Sequence, residues 1–157
     1  MRDKEQHALS RATPPAKAMA ASAVRLVRGR SRLRTRARQA RVSEDNVDGM
    51  LDRIADAARR EGRSQGVQVT VEKAGTLGIV VGADWSVLNH VPADLDPPYK
   101  VSVGDDQGSE PVVFYVAGDH FSEAQRRNTI RPEAARTAMR HFVAAGQLSP
   151  GVTWEEI

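Results

Sequence analysis

The stretch Val67-Gln-Val-Thr-Val-Glu-Lys-Ala-Gly-Thr-Leu-Gly-Ile-Val-Val-Gly82 decides the fold class. Val67, Val69 and Val71 alternate with Gln68, Thr70 and Glu72, which is the period-two pattern of a half-buried strand. Ala74-Gly75 supplies a turn, and Thr76–Val81 reads as a second, more apolar strand. The two are expected to form a hairpin.

On the N-terminal side of this hairpin the pattern changes to helical spacing. Ser43 reads as an N-cap, with Glu44, Asp45 and Asp48 where the helix dipole favours negative charge. Val47, Met50/Leu51, Ile54 and Ala58 line one face, and Gly62 is a natural stop. One amphipathic helix is predicted over about residues 44–61. On the C-terminal side, Asn89 to Pro98 holds Pro92, Pro97 and Pro98 and reads as a loop. Tyr99–Val103 and Val112–Ala117 read as two further strands, separated by the turn-forming stretch 104–109. Pro132 opens a last helix whose buried stripe is Ala135, Ala138/Met139 and Phe142/Val143, and Gly146 closes it. Val152-Thr153-Trp154 is a short terminal strand or an extended tail. The order predicts an α+β domain: an antiparallel sheet of about four strands, with an N-terminal and a C-terminal helix packed on one face.

Composition narrows the function. The chain of 157 residues has no cysteine, which excludes disulfide scaffolds, thiolate zinc sites and thiol nucleophiles. No apolar run approaches the roughly 18 residues that a membrane helix needs, so a soluble cytoplasmic protein is expected, with no membrane partner. The net charge of +3 averages two unlike pieces. Residues 1–41 carry 12 Lys+Arg against 2 acids, and residues 42–157 carry 11 against 18. Such asymmetry marks a basic extension, 1–41, joined to an acidic domain, 42–157.

Eight arginines fall between Arg25 and Arg41, set among Gly, Ser, Thr and Ala. With no apolar face to bury, this segment is expected to be disordered in isolation. Phosphate neutralisation is its functional reading, but no aromatic interleaves the arginines to stack on bases. A nucleic-acid partner is therefore the second choice, behind a solvated extension or the translation of a misjudged start site.

The domain offers little catalytic chemistry. His7, His90, His120 and His141 show no metal-ligand spacing, and no metal or other cofactor is expected. Asp119-His120 lacks an accompanying nucleophile. Gly75, Gly78 and Gly82 lack the Lys-Ser/Thr of a phosphate loop. Asp94-Leu95-Asp96 lacks the further oxygens of a calcium loop. No enzyme is expected.

Acid concentrated in loops is the positive signal. Between Asp84 and Glu123 lie eight acids and a single base, Lys100, with Trp85, Tyr99 and Phe121 interleaved. The plain reading is a solvated surface over core aromatics. The sharper one is a face that engages a basic partner, with aromatic anchors inside an acidic rim. Its expected members are Asp84, Trp85, Asp94, Asp96, Tyr99, Asp105, Asp106 and Glu110.

The C-terminal half carries a resemblance. Pro111-Val-Val-Phe-Tyr-Val-Ala-Gly118, Asn128-Thr-Ile-Arg-Pro-Glu-Ala-Ala-Arg136, His141-Phe-Val-Ala-Ala-Gly146 and Val152-Thr-Trp-Glu-Glu156 follow one another in order. Together they resemble immunity protein family one of bacterial polymorphic toxin systems. The resemblance spans roughly residues 43–157, with Trp154 matching the family's tryptophan and Glu155 or Glu156 its glutamate. Ala145-Gly146 stands where Thr-Gly is commoner, and residues 1–41 are without a counterpart. The resemblance implies a small α+β protein that binds and neutralises a cognate toxin, often of the deaminase superfamily, without catalysis of its own. A deaminase acting on nucleic acid needs a basic substrate channel, which an acidic partner suits.

Overall fold

The computed structural model describes residues 42–116 and 120–157. The expectations placed on residues 1–41, and on Asp119 of the Asp119-His120 pair, lie outside the described residues.

Helix α1 spans Glu44–Arg60. Its start is fixed by Ser43, whose backbone is extended and whose N–H donates to Asn46 Oδ1 at 2.8 Å. Val47, Leu51, Ala55 and Ala58 form its buried stripe. Strands β1 (Gln65–Val71) and β2 (Gly75–Val81) pair antiparallel, Val71 opposite Gly75. The three-residue turn between them, Glu72-Lys73-Ala74, leaves Gly75 with φ of 102° against the Val91 carbonyl oxygen, where a side chain would collide. Strands β3 (Leu88–Val91), β4 (Lys100–Val103), β5 (Val112–Val116) and β6 (His120–Ala124) follow. A 3-10 turn, Arg126–Asn128, leads to helix α2 (Pro132–Ala145), which has Pro132 in its first turn and stops at left-handed Gly146. Strand β7 (Thr153–Glu156) ends the chain.

The seven strands form one mixed sheet in the order β6-β5-β1-β2-β3-β4-β7. The α+β class holds, but the expected four-stranded antiparallel sheet does not. β1 and β5 run parallel and share one residue pair, Gln65 with Tyr115. The two strands that flank the 104–109 turn do not pair with each other: β4 lies between β3 and β7, and β5 between β1 and β6.

Two strands were missed for physical reasons. β3 falls partly inside the predicted Asn89–Pro98 loop, because proline constrains the chain only from Pro92 onward. His90 has partners within the fold: it donates from Nε2 to the Ala74 carbonyl at 2.9 Å and sets its ring edge-on to Phe142. β6 has its polarity inverted, with Phe121 turned outward and exposed. Strand β7 resolves the C-terminal alternative as a strand paired to β4.

Both helices pack on one face of β1 and β2. Phe142, Met139, Leu51, Leu77, Ile79 and Leu88 are the largest side chains of that core. Val80 points the other way, into a second cluster with Val87, Val101, Val112 and Phe114, half covered by Trp85. β2 is thus buried on both faces, which explains its near-continuous apolar sequence. Across the helix pair Arg136 reaches Asp52 at 2.8 Å and Arg140 reaches Asp48 at 3.1 Å.

Candidate functional site

The acidic run divides between the two ends of the sheet. Asp84 and Trp85 sit on the β2–β3 connection, and Asp105, Asp106 and Glu110 on the β4–β5 connection. Both connections are held by residues 126–130. Ser86 and Ile130 exchange backbone bonds of 2.9 and 2.8 Å, and Gly104 N–H donates to the Arg127 carbonyl at 2.7 Å. Arg126 Nε donates to the Glu110 carbonyl at 3.2 Å, and its guanidinium lies 3.7 Å from Asp106. Gly104 is pressed so closely on the Thr129 carbonyl that no side chain fits there. These five expected site residues therefore share one end, with Arg126 among them.

Asp94, Asp96 and Tyr99 occupy the β3–β4 connection at the opposite end. The Asp96 N–H donates to Asp94 Oδ1 at 3.1 Å, and Tyr99 donates its hydroxyl to the Leu95 carbonyl at 2.9 Å. The extended path from Tyr99 to Gly104 separates the groups by roughly 16 Å, at about 3.3 Å per residue. Asp84, Asp94, Asp96, Asp105 and Glu110 are exposed and form no ion pair among the described residues. Trp85 and Tyr99 are half-buried.

Trp154 and Glu155 lie next to each other on β7 but point to opposite faces. Trp154 rests half-buried against the helix-side core and donates its indole N–H to the Ser149 carbonyl at 3.1 Å. Glu155 closes a polar network. Its Oε1 accepts from Asn128 Nδ2 at 2.8 Å, and its Oε2 accepts from Arg127 at 2.7 Å. Asn128 Nδ2 also donates to the Ser102 carbonyl at 2.9 Å. Ser102, fully buried, returns the bond from its hydroxyl to the Asn128 carbonyl at 2.7 Å and accepts the Leu88 N–H at 3.0 Å. Glu155 thus fastens the 126–130 segment, which in turn holds the acidic loops. Ser102, Arg127 and Asn128 were not singled out as site residues from the sequence; the only signal was that Asn128 heads one of the quoted runs.

A further surface went unrecognised. Val113 and Tyr115 point outward from β5, with Phe121 directly across from Tyr115 on β6. Phe121 is 65% exposed and Val113 44%. The Arg63 guanidinium lies over the Tyr115 ring, 5.1 Å from its centroid, where the end of α1 borders an open groove.

Among the described residues no group of three or more His, Asp or Glu could hold a metal ion, and no helix is long and apolar enough to cross a membrane. Comparison with curated proteins gives no match. A family model described as Immunity protein Imm1 matches residues 36–156, so the match starts inside the segment for which no counterpart was expected. With the matched region taking in both helices and all seven strands of the described residues, the chain belongs to the Imm1 immunity protein family.

Proposed function

We propose that the protein binds a cognate toxin stoichiometrically in the cytosol of the producing cell and blocks it by covering its surface, without catalysing a reaction. The toxin is a nucleic-acid deaminase with a basic surface. Membership of an immunity protein family carries the reading. The charge of the domain gives its physical basis: exposed carboxylates without ion-pair partners leave a negative field that attracts a basic surface and repels nucleic acid. An enzyme that reads a polyanion must present such a basic surface, and an acidic protein can take that position.

The test is co-expression with the toxin domain encoded by the neighbouring reading frame. Cell survival, and loss of deaminated bases in a single-stranded DNA or RNA substrate at one-to-one stoichiometry, are expected. Protection without any change in deamination would place the toxin in another chemical class. A toxin that kills equally with and without the protein would overturn the immunity reading itself.

A further inference from the structure

We infer that the outward face of the β5–β6 ribbon, centred on Phe121 with Val113 and Tyr115, is where the cognate toxin docks. The inference rests on the immunity reading and assigns that function to a surface. Isolated exposed apolar residues are ordinary. Here three stand side by side, because Tyr115 pairs with Phe121 and Val113 follows two residues away on the same face. Phe121 adds nothing to either core cluster, so its ring is left in water at no benefit to the fold. β6 is also an edge strand, and its sequence His-Phe-Ser-Glu-Ala contains neither the proline nor the lysine that blunts exposed edges. Aromatic side chains at the centre of a patch are the usual anchors of protein–protein binding.

The surrounding charges specify the occupant. Arg63 pairs with Glu61 at 2.6 Å while its guanidinium covers Tyr115, and Arg59 pairs with Asp56 at 3.0 Å. Glu123, across from Val113, and Asp84, next to the groove-lining Ala83, form no ion pair among the described residues. Arg60, between groove-lining Arg59 and Glu61, is the opposing charge, so the uncompensated rim among the described residues is two carboxylates against one guanidinium and remains negative. It fits an apolar side chain flanked by Lys or Arg, on a basic toxin rather than on a second copy of this acidic domain.

The experiment measures binding of the full chain to the toxin domain from the neighbouring reading frame by surface plasmon resonance. Phe121→Ser and Val113→Ser each change an outward side chain and should keep the wild-type melting temperature. Each should raise Kd at least tenfold, mainly through the off-rate. Glu123→Gln should slow association about two- to fivefold and flatten its salt dependence. Leu95→Ser, at the far end of the sheet, should bind as wild type. If the wild type binds and Phe121→Ser and Val113→Ser bind equally well, this face is not the docking site, while the immunity reading stands. If the wild type does not bind at all, both fall together. A homodimer dissolved by Phe121→Ser with toxin affinity unchanged would assign the face to a second copy and overturn the inference.

Discussion

Replacing Ser102 by alanine tests whether the polar network beneath β7 holds the fold. Ser102 has no solvent exposure, and its hydroxyl serves the Leu88 N–H and the Asn128 carbonyl at once. Alanine removes one oxygen, so packing is nearly unchanged, but one buried donor and one buried acceptor lose their partner. Each such orphan costs about 1–3 kcal/mol, which places Ser102→Ala about 2–6 kcal/mol below wild type. For a domain near this size that lowers the melting temperature by roughly 10 °C or more. Urea unfolding followed by tryptophan fluorescence reads the change through Trp85 and Trp154. Arg127→Ala, which breaks a half-exposed ion pair to Glu155, should cost less than about 1 kcal/mol in the same assay. A loss below about 0.5 kcal/mol for Ser102→Ala, typical of an ordinary surface change, would refute the reasoning.

Trp154→Ala should cost about 2–3 kcal/mol, below the usual range for a fully buried tryptophan because the ring is only half covered, and urea unfolding measures it. The two ends of the acidic run should differ in toxin association. Asp84→Asn with Asp105→Asn should slow the on-rate severalfold in low salt, whereas Asp94→Asn with Asp96→Asn at the far end should leave it within about twofold; equal effects at both ends would show steering by net charge alone. Removing residues 1–35, which lie outside the family match, should leave toxin neutralisation intact in the co-expression assay; loss of protection with the folded domain retained would give the basic segment a part in it.

The helices and the central hairpin were legible because their signals are local. Val47 to Ala58 repeats at helical spacing, Val67 to Val71 alternates, and Gly62 and Gly146 mark the stops. Strand order was not legible, because it depends on pairings between distant segments that no local pattern encodes. β3 was hidden by Asn89 and His90: the bond from His90 Nε2 to the Ala74 carbonyl and the seat of the Asn89 side chain over Gly78 exist only in the folded chain. Its omission had a geometric consequence: every strand reverses the chain, so one missing strand puts a loop at the wrong end. Asp84, Asp94 and Asp96 therefore read as belonging to one connection, when β3 between them sends Asp94 and Asp96 to the opposite end. Glu155 could be picked out by resemblance, but its partners Asn128 and Arg127 lie far back in the chain, and only the fold reveals what the carboxylate does.

The β5–β6 ribbon joins the rest of the sheet through a single ladder pair, three hydrogen bonds between Ser64 or Gln65 and Val113 or Tyr115, and the seating of Val112 and Phe114 among Val80, Val87 and Val101. Ladder hydrogen bonds impose register; apolar contacts impose only proximity. The ribbon is thus tied to the sheet at one short stretch, and its amides should exchange with solvent faster than those of β1 and β2, through openings that leave the helix-side core closed. In an evolutionary contest with changing toxins, such a unit lets one surface diversify rapidly. The outward positions can be rewritten while the packing that keeps the protein folded is inherited untouched.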